Sequence, residues 1–126
     1  MKAILDASAL LAYLHKEPGW ETVQSVIAEA CIGTVNWSEV AQKITQRGMD
    51  VETVRSLLEE LGLTIVPFSI EHAECAAQLW ESSKQFGLSL ADRTCLGLAI
   101  AQKSTVLTAD RVWMKLNLNI EIRLLR

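Results

Sequence analysis

The sequence has no long apolar run. No stretch approaches the roughly 18 uninterrupted apolar residues that a membrane-spanning helix needs. Asp6 interrupts the first apolar stretch before the core of a secretory signal could form. We therefore expect a cytoplasmic protein with no membrane association.

Cysteine and positive charge are also scarce. The cysteines, Cys31, Cys75 and Cys95, are odd in number and lie among apolar neighbours. This pattern is typical of reduced, buried thiols and not of a disulfide framework or a zinc site. The formal net charge of -3 excludes a generic basic protein that coats nucleic acid, because non-specific affinity depends mainly on neutralising phosphates. It is compatible with an acidic site that recruits cations first.

The rest of the composition is that of a globular chain, with 50% hydrophobic and 21% charged residues. A length of 126 residues predicts a single domain over residues 1–126. Apolar runs predict strands at 3–5, 31–35, 63–66, 105–108 and 120–124. Apolar positions three and four residues apart predict helices at 7–14, 20–30, 37–47, 51–61, 70–86, 90–103 and 111–116. Because helices separate the strands, we predict an α/β protein in which helices cover both faces of a central, largely parallel sheet.

Four acidic residues occupy related positions in this predicted fold. Asp6, Glu39 and Asp110 each follow the end of a predicted strand, whereas Asp92 lies on the apolar stripe of a predicted helix. Parallel strands bring their carboxyl ends to one edge of a sheet, where ligands bind in such folds. A charged side chain on a buried helix face is costly unless it has a partner. We therefore expect these acids to share one pocket.

Each acid also has an ordinary structural explanation. Asp6 and Asp110 could be the N-caps of the helices that follow them. Asn36 is predicted to be the N-cap of the helix at 37–47, where it could form a capping box with Glu39. Ser89 and Asp92 have the same spacing and could form a second capping box. For any one of these acids, the sequence does not distinguish a capping role from a functional one.

A pocket that contains several carboxylates needs a counter-charge. No arginine or histidine is spaced to supply one to all four acids, and the segments that carry them contain no histidine. Mg²⁺ or Mn²⁺ would suit such a pocket, because these cations prefer oxygen ligands. Metals held by carboxylates ionise a water, neutralise a phosphate and stabilise a leaving oxygen. The pattern therefore favours hydrolysis of phosphodiester bonds.

The four acids lie in recognisable segments, which are Ile4-Leu5-Asp6-Ala7-Ser8, Asn36-Trp37-Ser38-Glu39-Val40, Leu88-Ser89-Leu90-Ala91-Asp92-Arg93 and Leu107-Thr108-Ala109-Asp110. In order and spacing these segments resemble the acidic motifs of PIN-domain ribonucleases, and most of all those of the VapC-type toxins of bacterial toxin-antitoxin pairs. The likeness spans nearly the whole chain, and no acidic position is lost. The motifs together are far more specific than any one of them.

The resemblance implies a three-layer α/β/α PIN-like fold and a Mg²⁺- or Mn²⁺-dependent endoribonuclease, commonly one that cuts transfer or ribosomal RNA. It also implies a toxin that a cognate antitoxin holds inactive, and a homodimer. By the same match, the catalytic metal ligands are Asp6, Glu39, Asp92 and Asp110.

Further polar residues near these motifs could assist. Ser8 and Thr108 could orient a carboxylate or contact a metal-bound water, although ordinary turn and cap roles are the alternative. Arg93 and Lys43 are candidates for contact with a substrate phosphate, and a solvated surface position is the alternative for Arg93. A basic rim that tracks phosphates would comprise Lys43, Arg47, Arg111 and Lys115.

Two other functions stay open. One is a catalytically silent interaction module that has kept the PIN fold and its binding of metal and RNA. The other is a phosphotransfer receiver domain, which has a similar length and acids at strand ends. A receiver domain would need a phosphoacceptor aspartate after a mid-chain strand, yet Asp50 follows Arg47-Gly48-Met49 instead of an apolar run.

Overall fold

The centre of the fold is a five-stranded sheet in which every neighbouring pair of strands is parallel. The structure, a computed structural model, describes residues 2–126. The strands are β1 (Ala3–Leu5), β2 (Ala30–Gly33), β3 (Thr64–Val66), β4 (Thr105–Thr108) and β5 (Ile122–Leu124), and their order across the sheet is β3-β2-β1-β4-β5. The predicted single domain over 1–126 includes Met1, which lies outside the described residues, and it stays a prediction.

Seven α-helices connect the strands and cover the sheet in the described part of the chain. They are α1 (Ala7–His15), α2 (Trp20–Val26), α3 (Thr34–Gln46), α4 (Val51–Glu60), α5 (Ile70–Gln78), α6 (Trp80–Ser83) and α7 (Leu90–Gln102). Short 3-10 helices occur at Ile27–Glu29, Lys84–Phe86 and Arg111–Lys115. None of the helices described between residues 2 and 126 combines the length and the apolar character needed to cross a membrane.

Alternation along the strands divides the apolar core into two layers. Ala3 and Leu5 of β1 pack in a core with residues of α1, α2, α3 and α4, whereas Ile4 packs on the opposite face with residues of α7. All three residues of β1 are fully buried, as expected for a parallel strand that is covered on both faces. The predicted three-layer α/β/α architecture is therefore confirmed.

The strand order places a topological switch point beside β1. The chain proceeds from β1 to β2 and β3 on one side and then returns to place β4 and β5 on the other. Ligands of open α/β sheets bind outside the carboxyl ends of the strands at such a point. The order also excludes the receiver-domain alternative, since flavodoxin-like receiver sheets have the order 2-1-3-4-5. Asp50, the phosphoacceptor which that alternative required, is instead the exposed N-cap of α4.

The start of α3 differs from the prediction. We predicted a strand at 31–35 and an N-cap at Asn36, but β2 ends at Gly33 and α3 begins at Thr34. Gly33 is the N-cap, and no side-chain hydrogen bond caps the helix. The capping prediction for Asn36 is therefore wrong, because tertiary packing extends α3 by one turn and buries this residue inside it.

The single helix predicted at 70–86 is also wrong. The structure divides this segment into α5, α6 and the 3-10 helix at Lys84–Phe86. The division falls at Leu79, whose carbonyl accepts hydrogen bonds from the hydroxyls of Ser82 at 3.3 Å and Ser83 at 2.6 Å. Serine hydroxyls that bond back to the preceding turn in this way often bend a helix, and the regular bond from the Ser83 amide to the same carbonyl is kept at 3.1 Å.

Candidate active site

The four predicted acids meet in one cavity at the carboxyl edge of the sheet. The cavity has a volume of about 140 Å³ and is lined by Asp6, Ala7, Ser8, Asn36, Glu39, Asp92 and Asp110. Asp6 directly follows β1 and Asp110 lies two residues after β4, so these two acids flank the switch point. Glu39 comes from α3 and Asp92 from α7. The packing of four separate segments thus creates an acidic pocket, which we call the acidic cavity.

Asp6 is the most firmly held of these acids. Its Oδ1 accepts hydrogen bonds from the Ala9 amide at 2.8 Å and the Ser8 hydroxyl at 2.7 Å, and its Oδ2 accepts one from the Thr108 hydroxyl at 2.6 Å. The bond from Ala9 makes Asp6 the N-cap of α1. The capping explanation and a place in the acidic cavity therefore hold at the same time.

Burial makes the Asp6 carboxyl a weaker acid than usual. Loss of solvation raises its pKa from 3.8 to about 6, although the hydrogen bonds from Thr108, Ser8 and Ala9 oppose this shift. The negative charge of Asp92 raises the pKa further. Removal from water outweighs the donated hydrogen bonds here, since no ion pair within residues 2–126 involves the charged form.

Ser8 and Thr108 connect Asp6 to the end of β4. The Ser8 hydroxyl accepts a hydrogen bond from the Ala109 amide at 2.9 Å, and the Thr108 hydroxyl accepts one from the Asp110 amide at 3.0 Å. Because both hydroxyls also donate to Asp6, they link the carboxylate after β1 to the backbone that carries Asp110. This arrangement fixes the relative positions of two walls of the cavity.

Asn36 is a cavity residue whose role the sequence analysis missed. Its side chain is only 2% exposed, and its amide donates to Oε1 of Glu39 at 3.3 Å and to the Ala91 carbonyl at 3.1 Å. One side chain thus orients Glu39 and ties α3 to the first turn of α7. The signal was the spacing of three residues between Asn36 and Glu39, which places both on one face of a helix.

Burial, a donated hydrogen bond and the charge of Asp92 also shift the pKa of Glu39. Partial burial raises the pKa of Glu39, the hydrogen bond from Asn36 lowers it, and the negative charge of Asp92 raises it. The same acids also affect a buried thiol. Loss of solvation raises the pKa of Cys95, and the negative charges of Asp6, Asp92 and Glu39 raise it further. Among the described residues that line the cavity, no basic side chain balances this negative charge.

Asp92 and Asp110 are also held by the first turns of helices. Ser89 and Asp92 form the predicted capping box of α7, in which the Ser89 amide donates to Oδ2 of Asp92 at 3.0 Å. Asp110 is the N-cap of the 3-10 helix at Arg111–Lys115, and its Oδ1 accepts a hydrogen bond from the Val112 amide at 3.0 Å. Each of these caps uses one carboxylate oxygen.

Two predicted substrate-binding residues lie outside the acidic cavity. The Arg93 side chain is partly buried, and its Nη1 donates to the Ala76 carbonyl of α5 at 3.0 Å. Lys43 is exposed and lines a neighbouring cavity that includes Ser8. Substrate contact by Arg93 and Lys43 stays a prediction.

The donor set suits a hard divalent cation. Within residues 2–126, Glu39, Asp92 and Asp110 each use one carboxylate oxygen in the hydrogen bonds described, and no basic side chain lines the cavity. Across the same residues, however, no group of three or more His, Cys, Asp or Glu side chains could hold a metal ion as it stands. Mg²⁺ keeps several waters and binds through one or two carboxylates, so the residues fit a hydrated cation.

Comparison with known proteins identifies the class to which this fold and site belong. The family model of the PIN domain matches residues 3–117. The chain therefore belongs to the PIN domain family, as the motifs predicted. Family membership supports the expected nuclease role. A sequence search among curated proteins gave no match.

Solved structures with the same fold include several toxin-antitoxin complexes. VapBC2 from Rickettsia felis, bound to a DNA fragment from the promoter, has a TM-score of 0.74 at 18% identity, and the match covers 98% of each chain. A toxin-antitoxin complex from Klebsiella pneumoniae has a TM-score of 0.77 at 17% identity, again over 98% of each chain. FitAcB from Neisseria gonorrhoeae has a TM-score of 0.69 at 17% identity over 95% of each chain. These similarities establish the fold.

Proposed function

We propose that this chain is a Mg²⁺- or Mn²⁺-dependent endoribonuclease that hydrolyses phosphodiester bonds of RNA, with transfer or ribosomal RNA as the substrate class. The observation that carries the proposal is the acidic cavity, where four carboxylates from separate segments meet without a basic partner among the cavity-lining residues. A cation relieves that repulsion and also attracts a phosphodiester, so an acidic protein gains affinity for a polyanion.

The proposed roles follow from how each side chain is held. Asp6, Glu39, Asp92 and Asp110 would hold the cation, some of them directly and the others through its waters. The cation when bound would ionise a water, neutralise the phosphate and stabilise the leaving oxygen. The hydroxyls of Ser8 and Thr108 position Asp6 through bonds of 2.7 Å and 2.6 Å. Asn36 positions Glu39 in the same way. These neutral donors favour the charged form of the carboxylates, which is the form that binds a cation.

The chain is further proposed to be the toxin of a toxin-antitoxin pair, which acts in the cytoplasm as a homodimer and is inhibited by a cognate antitoxin. Support comes from similar solved structures that are themselves toxin-antitoxin complexes. An apolar groove of about 280 Å³ offers a surface for such a partner, and its lining residues include Tyr13, Leu14, Met49, Leu57 and Leu61.

The groove has the character of a helix-binding surface. Met49 and Leu57 are each 57% exposed and Leu61 is 46% exposed, although they are large apolar side chains. An amphipathic helix buries its apolar face in a groove of this kind. An uncharged polar substitution, Leu57→Gln, should weaken binding of the cognate antitoxin and leave ribonuclease activity intact, as measured by co-purification and by RNA cleavage. It adds no charge beside Arg47, which also lines the groove.

The nuclease proposal is tested with the purified chain, a pool of transfer and ribosomal RNA, and Mg²⁺ or Mn²⁺. We expect cleavage that stops when the metal is chelated, and a loss of more than about 100-fold in Asp110→Asn, because even residues that only orient metal ligands contribute about 10- to 100-fold. Asparagine caps a helix about as well as aspartate, so the helix that Asp110 begins should be retained.

Asp50→Asn is the matched control for this experiment. Asp50 caps α4 with a bond of 3.0 Å from the Thr53 amide, which resembles the cap made by Asp110, but it does not line the acidic cavity. Its substitution should leave cleavage unchanged. Equal activity of Asp110→Asn and Asp50→Asn would contradict the proposal. Metal binding without cleavage of any RNA would favour the silent interaction module.

A further inference from the structure

A second cavity adjoins the acidic cavity on the side of α1 and α3. It has a volume of about 290 Å³ and is lined by Ser8, Leu11, His15, Glu17, Lys43, Arg47 and Arg126. We call it the basic cavity. Ser8 lines both cavities, so the two cavities are neighbours on the surface.

The basic cavity has positive charge that the protein does not neutralise. Arg126 approaches Glu17, with 3.8 Å between Nη2 and Oε1, and donates from Nη1 to the Pro18 carbonyl at 2.8 Å. Lys43 and Arg47 are exposed, and no ion pair or side-chain hydrogen bond involves either of them within residues 2–126. Two positive charges thus remain for a ligand.

The spacing along α3 aligns these charges with the acidic cavity. Glu39 and Lys43 lie four residues apart on α3, which places them on one side of the helix, about 6 Å apart along its axis. Arg47 is the C-cap that follows the helix, and it lines the same cavity as Lys43. The surface therefore changes from acidic to basic along one direction. The other basic residues suggested for a rim, Arg111 and Lys115, line neither cavity.

We propose that the basic cavity binds a backbone phosphate of the RNA strand next to the phosphodiester that enters the acidic cavity. This inference rests on the proposed ribonuclease function. A nucleic acid satisfies both cavities, because its phosphates occur at regular intervals and can be matched by a cation in one cavity and by Lys43 and Arg47 in the other. Lys43 and Arg47 are then substrate-binding residues, and Arg126 completes the wall.

The test measures RNA binding without cleavage. A short, fluorescently labelled single-stranded RNA is titrated with the full-length chain in EDTA, and anisotropy gives the dissociation constant between about 50 and 200 mM salt. Each phosphate contact to a single strand contributes about 0.7 to the slope of log K against log salt. Lys43→Gln and Arg47→Gln should each lower that slope by about 0.7, and the double variant by about 1.4.

Lys103→Gln is the matched control, because Lys103 is exposed and lies just before β4, at the opposite edge of the sheet. It should keep the slope of the unmodified chain. Circular dichroism melts should show that all of these variants fold, since the altered side chains are exposed. Unchanged slopes in Lys43→Gln and Arg47→Gln would overturn the proposal. So would binding of an acidic peptide, or of inorganic phosphate, that is as tight as that of the RNA and depends equally on these residues.

Cleavage kinetics separate this inference from the function on which it rests. If the chain cuts RNA, the double variant should raise KM and leave kcat unchanged, which is the result for a contact made equally in the ground and transition states. If no RNA is cut with Mg²⁺ or Mn²⁺, yet binding depends on Lys43 and Arg47 as described, the basic cavity is supported and the ribonuclease proposal fails. If the double variant cleaves RNA with an unchanged KM, the phosphate-binding role of the basic cavity is refuted and the ribonuclease proposal is retained.

Discussion

Asp6→Asn should stabilise the metal-free protein at neutral pH, although Asp6 makes three hydrogen bonds. The folded chain raises the pKa of Asp6 from 3.8 to about 6. Between these values the folded chain binds more protons than the unfolded chain, and so the free energy of unfolding falls as pH rises through this window. The stability associated with this carboxyl is complete below about pH 4 and is lost above about pH 6.

The size of this effect follows from the shift in pKa. A shift of about two units corresponds to about 3 kcal/mol, and the nearly complete burial of Asp6 means that solvent does not screen it. Asparagine stays neutral at every pH and avoids this loss. Its carbonyl can accept the bond from Ala9, while its amide must donate to the Thr108 hydroxyl, which already accepts a bond from Asp110. That exchange of hydrogen bonds costs about 1 kcal/mol and is the same at every pH.

Urea unfolding in EDTA, followed by circular dichroism at about pH 4 and at about pH 7.5, measures the two terms separately. Relative to the unmodified chain, Asp6→Asn should gain about 2.5 kcal/mol of stability between the two pH values, because the unfolded carboxyl is already partly ionised at about pH 4. Asp50→Asn should show almost no change between these pH values, because the hydrogen bond from the Thr53 hydroxyl lowers the pKa of Asp50 and its titration therefore lies below this window. A difference between Asp6→Asn and the unmodified chain that does not change with pH would refute the reasoning, since it would mean that a positive group already neutralises Asp6.

Three further predictions concern positions that shape the site and its scaffold. Asn36→Leu should weaken Mn²⁺ binding by about 10- to 100-fold in calorimetric titrations, because nothing then orients Glu39, and an unchanged affinity would contradict that role. Ser89→Ala removes half of the capping box of α7 and should cost about 1 kcal/mol in urea unfolding; no loss would show that the cap contributes nothing. Gly62→Ala should lower the unfolding free energy by more than about 1 kcal/mol, because Gly62 has a φ of 109° and a Cβ there would lie 2.7 Å from a backbone atom. Gly48→Ala is its control, since that position has a φ of 73° but no neighbour within 4 Å, and an equal loss in both variants would show that contact with the backbone is unimportant.

The acids of the site could be predicted because their positions follow from local rules. Asp6 follows a short apolar strand, and a parallel sheet brings such strand ends together. The capping explanation could not be separated from the functional one in sequence. In the structure the two coexist, because capping by Asp110 or Asp92 occupies one carboxylate oxygen. Local spacing predicts a cap, but it does not show which direction the remaining oxygen faces.

Asn36 shows where prediction from local pattern fails. Asparagine before a helix is a strong N-cap signal, yet α3 begins three residues earlier than predicted and buries Asn36 against α7. The hydrogen bond to the Ala91 carbonyl joins residues that are 55 positions apart, and no short-range preference encodes such a contact. Tertiary packing therefore determines that Asn36 bridges two helices and does not cap one.

The sequence by itself determined the alternation of strands and helices, the three layers and the identity of the acidic residues, because hydrophobic periodicity and helix caps act over a few residues. Tertiary structure decided the order of the strands, the gathering of the acids around the switch point and the pairing of Lys43 with Arg47 in a cavity that Ser8 shares. These features depend on which apolar faces pack together across the sheet. Such packing joins residues that are far apart in the chain, and their proximity exists only once the core has formed.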